Sequence, residues 1–119
     1  MSEVPRPAAL NYIELPAPDL NRAQAFYGEV FGWTFEAMGD DYVEFHAGGI
    51  AGGFSPRLPV GEGGAVPVLE VEDIPAALGR IESWGGRRMG EKTAIGSDLG
   101  FFAYFRDPFG NRLAVWSRT

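Results

Sequence analysis

Residues 12–33 (YIELPAPDLNRAQAFYGEVFGW) and 66–87 (VPVLEVEDIPAALGRIESWGGR) align without a gap at an offset of 54. Leu15 falls on Leu69, Asp19 on Asp73, Ala23 on Ala77 and Gly32 on Gly86. So few identities would mean little by number. They matter because each falls where a strand, a helix cap, a helix or a stop requires it. A duplicated half-size unit confines the chain to folds in which two similar modules pack together. Function is then expected where the halves meet.

The length of 119 residues suits one domain, read as two fused modules over 9–54 and 65–117 with a linker at 55–64. The formal net charge is −6. Such a surface repels phosphate backbones and anionic lipid heads, so neither nucleic acid nor a membrane surface is expected as a partner. There is no cysteine, which excludes disulfides, thiolate metal sites and a cysteine nucleophile. The N-terminal residues lack a basic-then-apolar signal pattern, and no apolar run approaches the roughly 20 residues that span a bilayer. A cytoplasmic location is expected.

Residues 9–15 alternate as a strand, with Leu10, Tyr12 and Glu14 on one face and Ile13 and Leu15 on the other. Pro16 and Pro18 end it, and Asp19 caps a helix carrying Leu20, Ala23, Tyr27, Val30 and Phe31 up to a stop at Gly32. Strands are expected at about 33–38, 41–46 and 50–54, split by turn signals at Gly39-Asp40 and Gly48-Gly49. The second half repeats the order. A strand at 65–71 leads to a helix capped by Asp73 and ended by Gly85-Gly86, followed by strands near 87–90, 100–106 and 112–117. The last two are joined by Asp107-Pro108-Phe109-Gly110-Asn111, a turn in which proline presets φ at one corner and Gly110-Asn111 accept positive φ at the other. The fold class is α+β: two tandem βαβββ modules form a curved, mixed and largely antiparallel sheet around a cleft, with helices on the outer face.

The doubled βαβββ order, the capped helix ending FYGEVFGW and the terminal DPFGN hairpin together resemble the vicinal oxygen chelate superfamily of glyoxalases, bleomycin-resistance proteins and dioxygenases. In its metal-dependent members, the resemblance implies four inward His or Glu ligands, from the first and last strands of each module. Here those positions are Tyr12, Gly52 (to about one residue), Val66 and Ala114. Val, Ala and Gly offer no lone pair, and three or four N/O ligands are the least that such ions need. The resemblance therefore points to the metal-free branch, with no metal and no cofactor. It also implies a homodimer, since two such chains often complete each other's cavities.

Candidate site residues follow from strand parity. Tyr12 is a stacking, hydrogen-bonding wall, and Glu14 beside it is either an acid/base group or a wet surface carboxylate paired with an arginine. Phe54, Phe102, Tyr104 and Trp116 make an aromatic lining suited to a planar organic ligand, or are in part core and dimer contacts. The orientation of Phe102 and Tyr104 depends on the hairpin register, which a one-residue slip inverts. His46 shares a face with Glu44 and Tyr42 and is either a proton-transfer group or a rim residue. Arg57 and Glu62 lie in the linker, Arg106 and Arg112 flank the last turn, and Trp33 and Trp84 read as core or interface anchors. No phosphate-loop or nucleophile-elbow pattern occurs.

The leading expectation is a metal-free protein that binds a small organic molecule in an aromatic cleft between the modules. The alternatives are a metal-independent isomerase, lyase or hydrolase using Glu14 or His46 as acid/base, and a protein–protein module.

Overall fold

The computed structural model describes residues 11–61 and 65–119. Leu10 of the expected first strand and Glu62 of the linker lie outside the described residues. The first module comprises β1 (Tyr12–Pro16), α1 (Leu20–Phe31), β2 (Thr34–Ala37), β3 (Val43–Ala47) and β4 (Ile50–Ser55). The second comprises β5 (Val68–Glu70), α2 (Ile74–Ser83), β6 (Arg87–Arg88), β7 (Thr93–Ala94), β8 (Phe101–Arg106) and β9 (Arg112–Ser117). The two-residue β7 was not expected; it is a short strand on β8, with Thr93 opposite Phe102.

The duplicated residues do the same work twice. Asp19 Oδ1 accepts from the Arg22 backbone N–H at 3.0 Å, and Asp73 Oδ1 from that of Ala76 at 2.9 Å. Each cap satisfies one of the donors that a helix start leaves open, about 1 kcal/mol of stabilisation. Ala23 and Ala77 are both buried, where any larger side chain would push the helix off its support. Gly32 takes φ 71° to end α1, while α2 ends on Trp84 and the positive φ passes to Gly85.

Among the described residues, the strands form two mixed sheets rather than one continuous sheet. The first runs β1-β4-β3-β2 and the second β5-β9-β8-β6, with β7 on β8. β1 pairs parallel with β4, and β5 parallel with β9, so β1 and β5 stand at the sheet edges. The α+β class and the doubled module are as the sequence implies; the sheet stays open between β1 and β5.

One core holds the modules together. Phe26, Tyr27 and Val30 of α1 are buried with Ile74, Leu78 and Ile81 of α2, and with Phe105, Leu113 and Val115 of the second sheet. Each such side chain contributes about 1.5–3 kcal/mol through burial. The Phe31 and Phe105 rings meet across the module boundary at 5.7 Å. Within the first module Trp33 is sandwiched between Tyr27 at 4.6 Å and Phe45 at 4.5 Å. Trp84, by contrast, is largely exposed. The terminal turn adds a polar bolt. Asp107 Oδ2 accepts from the Tyr27 hydroxyl, and Asn111 Nδ2 donates to the Pro16 carbonyl at 2.7 Å.

Candidate functional site

Strand alternation gives each sheet a face toward the helices and an open face. On the first sheet Ile13, Leu15, Val43, Phe45 and Phe54 point to the core, while Tyr12, Glu14, Tyr42, Glu44 and His46 share the open face. Phe54, expected on a cavity wall, is fully buried, because its register partners are Leu15 and Val43. Phe45 at 4.9 Å and Tyr27 at 5.3 Å enclose its ring. Gly52 likewise belongs to the core face: a Cβ there would strike the Ile13 carbonyl and the Phe45 ring. The open-face positions beside Tyr12 and Glu14 are Ala51 and Gly53, one residue to either side.

The open face of the first sheet carries a connected polar array. The Tyr42 hydroxyl donates to Glu14 Oε2 at 2.8 Å, and its oxygen lies 2.9 Å from the Tyr12 hydroxyl. Tyr42 has one proton and gives it to Glu14, so Tyr12 is the donor between the two phenols. Tyr12 also lies 3.4 Å from Glu44 Oε2, and His46 Nε2 lies 3.6 Å from Glu44 Oε1. Gly53 makes room for this, since a Cβ there would overlap the Tyr42 ring and hydroxyl. Desolvation, the bond with Tyr12 and the bond and charge of Glu14 push the Tyr42 phenol far above its ordinary range, so it stays a donor. Strand alternation alone makes Tyr42 a neighbour of Glu44 and His46 on one face. Its role depends on β4 lying between β1 and β3, which no local pattern reveals.

The open face of the second sheet is aromatic and cationic. Phe102 pairs with Trp116, and Tyr104 with Ala114, while Val68 flanks Ala114 on the far side. The Phe102 and Tyr104 rings meet edge to face at 5.3 Å, and the Trp116 indole N–H donates to the Leu99 carbonyl at 3.0 Å. Arg112 lies over the Tyr104 ring at 4.6 Å and Arg118 over Trp116 at 5.8 Å. Of the linker residues, Arg57 forms an ion pair with Asp41.

Two hollows separate the modules. A groove of about 1290 Å³ is lined by Ile13, Leu15, Phe31, Trp33 and Phe45 on one side and by 65–73 on the other. Its aromatic lining is Phe31, Trp33 and Phe45; none of Tyr12, Phe54, Phe102, Tyr104 and Trp116 lines it. A smaller crevice of about 280 Å³ is lined by both Glu14 and Arg112. Ile13, Leu15, Pro59 and Pro67 are also in its lining.

The donor set does not fit the family's ion. Tyr12, Val66, Ala114 and either neighbour of Gly52 supply no His or Glu. Among the described residues no group of three or more His, Cys, Asp or Glu is arranged to hold a metal. Nor, among the described residues, is any helix long and apolar enough to cross a membrane.

The family model for the Glyoxalase/Bleomycin resistance protein/Dioxygenase superfamily matches residues 9–115. The chain is 29% identical over 116 residues to a glyoxylase-like domain-containing protein of Didymella fabae, covering 89% of this chain and 91% of that one. It is 26% identical over 120 residues to CFP32 of Mycobacterium bovis, covering 89% of this chain but 44% of that protein. The chain thus spans less than half of CFP32. A solved glyoxalase/bleomycin resistance protein/dioxygenase family enzyme from Burkholderia phytofirmans superposes with a TM-score of 0.80 at 15% identity. That match covers 94% of this chain and 100% of the other. At that identity the likeness concerns the fold.

Proposed function

Because the chain belongs to the glyoxalase/bleomycin resistance protein/dioxygenase superfamily, we propose that it is a metal-free member that binds a small organic molecule on the open faces of its sheets. The observation that carries this reading is the exposed lining. Tyr104 and Tyr12 remain more than one-third exposed, and Val68 is 60% exposed, on faces where burial would normally be expected for such side chains. The wall that lacks metal ligands keeps aromatic surface instead, which suits a planar ligand. Among the described residues β1 and β5 each leave one edge unpaired, which favours a homodimer in which a second copy closes the site by extending the sheets.

A thermal-stabilisation screen of organic compounds tests the proposal. A ligand at a hundredfold excess over its Kd stabilises by about 2.7 kcal/mol, and the gain is lost in Tyr12→Ala and Trp116→Ala. If both variants retain the full gain, the site lies elsewhere. About one tightly held metal ion per purified chain overturns the metal-free assignment.

A second reading, a metal-independent acid/base enzyme, is favoured by the Tyr42 hydroxyl aimed at Glu14. The phenol donor holds Oε2 of the carboxylate in place, and a positioned carboxylate is a usual general acid/base. This reading predicts turnover that Glu14→Gln or His46→Gln abolishes, with a pH profile that reports the group removed.

A further inference from the structure

Three arginines stand side by side across three adjacent strands of the second sheet. Arg87 of β6 is the register partner of Arg106 on β8, and Arg106 is the partner of Arg112 on β9. Like charges in direct cross-strand register cost stability rather than add it. The chain is acidic overall, and its ten Lys and Arg residues are outnumbered by sixteen Asp and Glu. Such a row is therefore not a by-product of a basic surface.

The ion pairs among the described residues engage Arg57, Arg88 and His46, not Arg87 or Arg112. Arg106 donates to the Gly110 carbonyl at 2.9 Å, which props the middle of the row. Arg112 is braced by the Tyr104 ring. Glu70, a carboxylate on this face, stands opposite Trp116 at the other end, and Glu14 of the first sheet lines the crevice that Arg112 also lines.

The next rows complete a graded surface. Beside the arginines lies Tyr104 with the small floor residue Ala114 and exposed Val68. Beyond them lie Phe102 and Trp116. One end carries the arginine row; the other is aromatic, with Arg118 over Trp116 and Glu70 opposite it, and a low step lies between.

We infer that the open face of the second sheet takes an amphiphilic organic anion, its charged group on the arginine row and its planar body across Ala114 toward Phe102 and Trp116. The inference rests on the proposed ligand-binding reading and narrows its ligand class. Guanidinium forks match carboxylate, sulfonate and phosphonate oxygens, and the ring faces match a planar apolar body. Salt weakens the cationic half and leaves the aromatic half largely unchanged.

Two dyes with the same ring skeleton separate these halves: anionic 1-anilinonaphthalene-8-sulfonate and uncharged N-phenyl-1-naphthylamine, titrated by fluorescence against the full chain. The anionic dye is expected to saturate and to bind roughly tenfold more weakly to Arg112→Gln, the loss typical of one charge-assisted contact. Arg87→Gln weakens it less, and the neutral dye binds both variants as it binds the parent. Arg112→Lys, which retains charge, recovers part of the anionic affinity and guards against a folding artefact. If Arg112→Gln alters neither dye, or weakens both equally, the anion assignment falls while the binding face stands. If Trp116→Ala and Tyr104→Ala alter neither dye, the binding face itself falls, and the anion assignment with it.

Discussion

The Tyr27 hydroxyl donates a 2.8 Å hydrogen bond to Oδ2 of Asp107, eighty positions away, and so ties helix α1 to the terminal turn of the other module. The same carboxylate accepts from Asn111 Nδ2 and from the backbone N–H groups of Phe109 and Asn111. Four donors converge on one buried group. Burial still holds the Asp107 carboxyl above the usual carboxylate range, against the pull of those donors.

Tyr27→Phe removes one donor and leaves the buried carboxylate short, at an expected cost of about 1–3 kcal/mol near neutral pH. Burial first, then the charge and bond of Asp107, push the Tyr27 phenol well above its ordinary value of 10.0. The native state thus holds this proton more tightly than the unfolded chain does. That contribution is complete below pH about 10 and is lost as pH rises toward the native value. Urea denaturation between neutral and alkaline pH should show a shallower alkaline decline in Tyr27→Phe; an unchanged decline would remove Tyr27 as a source.

Gly52→Ala and Gly53→Ala are neighbours with unlike consequences. At Gly52 the added Cβ meets the Ile13 carbonyl, which cannot move without breaking the β1–β4 pairing. Overpacking of this kind costs about 1–3 kcal/mol or more. At Gly53 it meets the Tyr42 side chain, which can swing away. The stability loss from denaturation curves should be larger for Gly52→Ala, whereas Gly53→Ala should cut Tyr42 from Glu14. Equal losses would show that Tyr42 is as immovable as backbone.

Phe54→Ala empties a fully buried ring site and should cost about 3–5 kcal/mol. Tyr104→Ala, on the open face, should stay within about 1 kcal/mol while impairing ligand binding. Melting temperatures of the two variants check this contrast; a large loss in Tyr104→Ala would turn that face into structural core.

Alkaline difference spectroscopy follows phenol ionisation directly. Tyr42 is pushed upward by desolvation and by its bonds with Tyr12 and Glu14, so it ionises late. Tyr42→Phe should remove a late-ionising component, and Glu14→Gln should bring that component to lower pH. A parent spectrum unaffected by either change would dissolve the array.

The caps, the stops and the terminal turn were legible because each is a local device. Asp19, Asp73, Gly32 and the Asp107–Asn111 turn need only their own few neighbours to act. Trp33 and Trp84 read alike in the sequence, as core or interface anchors, and only packing separates the stacked Trp33 from the exposed Trp84. Phe54 and Gly52 were not legible, because period-two alternation tells which residues share a face but not which face is covered. A shift of one residue along β4 exchanges Gly52 with Gly53 and sends Phe54 into the core.

The sequence by itself determined two like modules, the order of their elements apart from the short β7, and the absence of His and Glu from the family's four ligand positions. Only the tertiary structure decided that β1 and β5 remain edges, that Tyr42 reaches Glu14 across β4, and that Arg87, Arg106 and Arg112 align in one row. The reason is physical. Caps and turns are set by contacts a few residues apart, whereas strand neighbours and register are set by burying Leu15, Phe45, Phe54 and Phe105 together, contacts made only once the whole chain has packed.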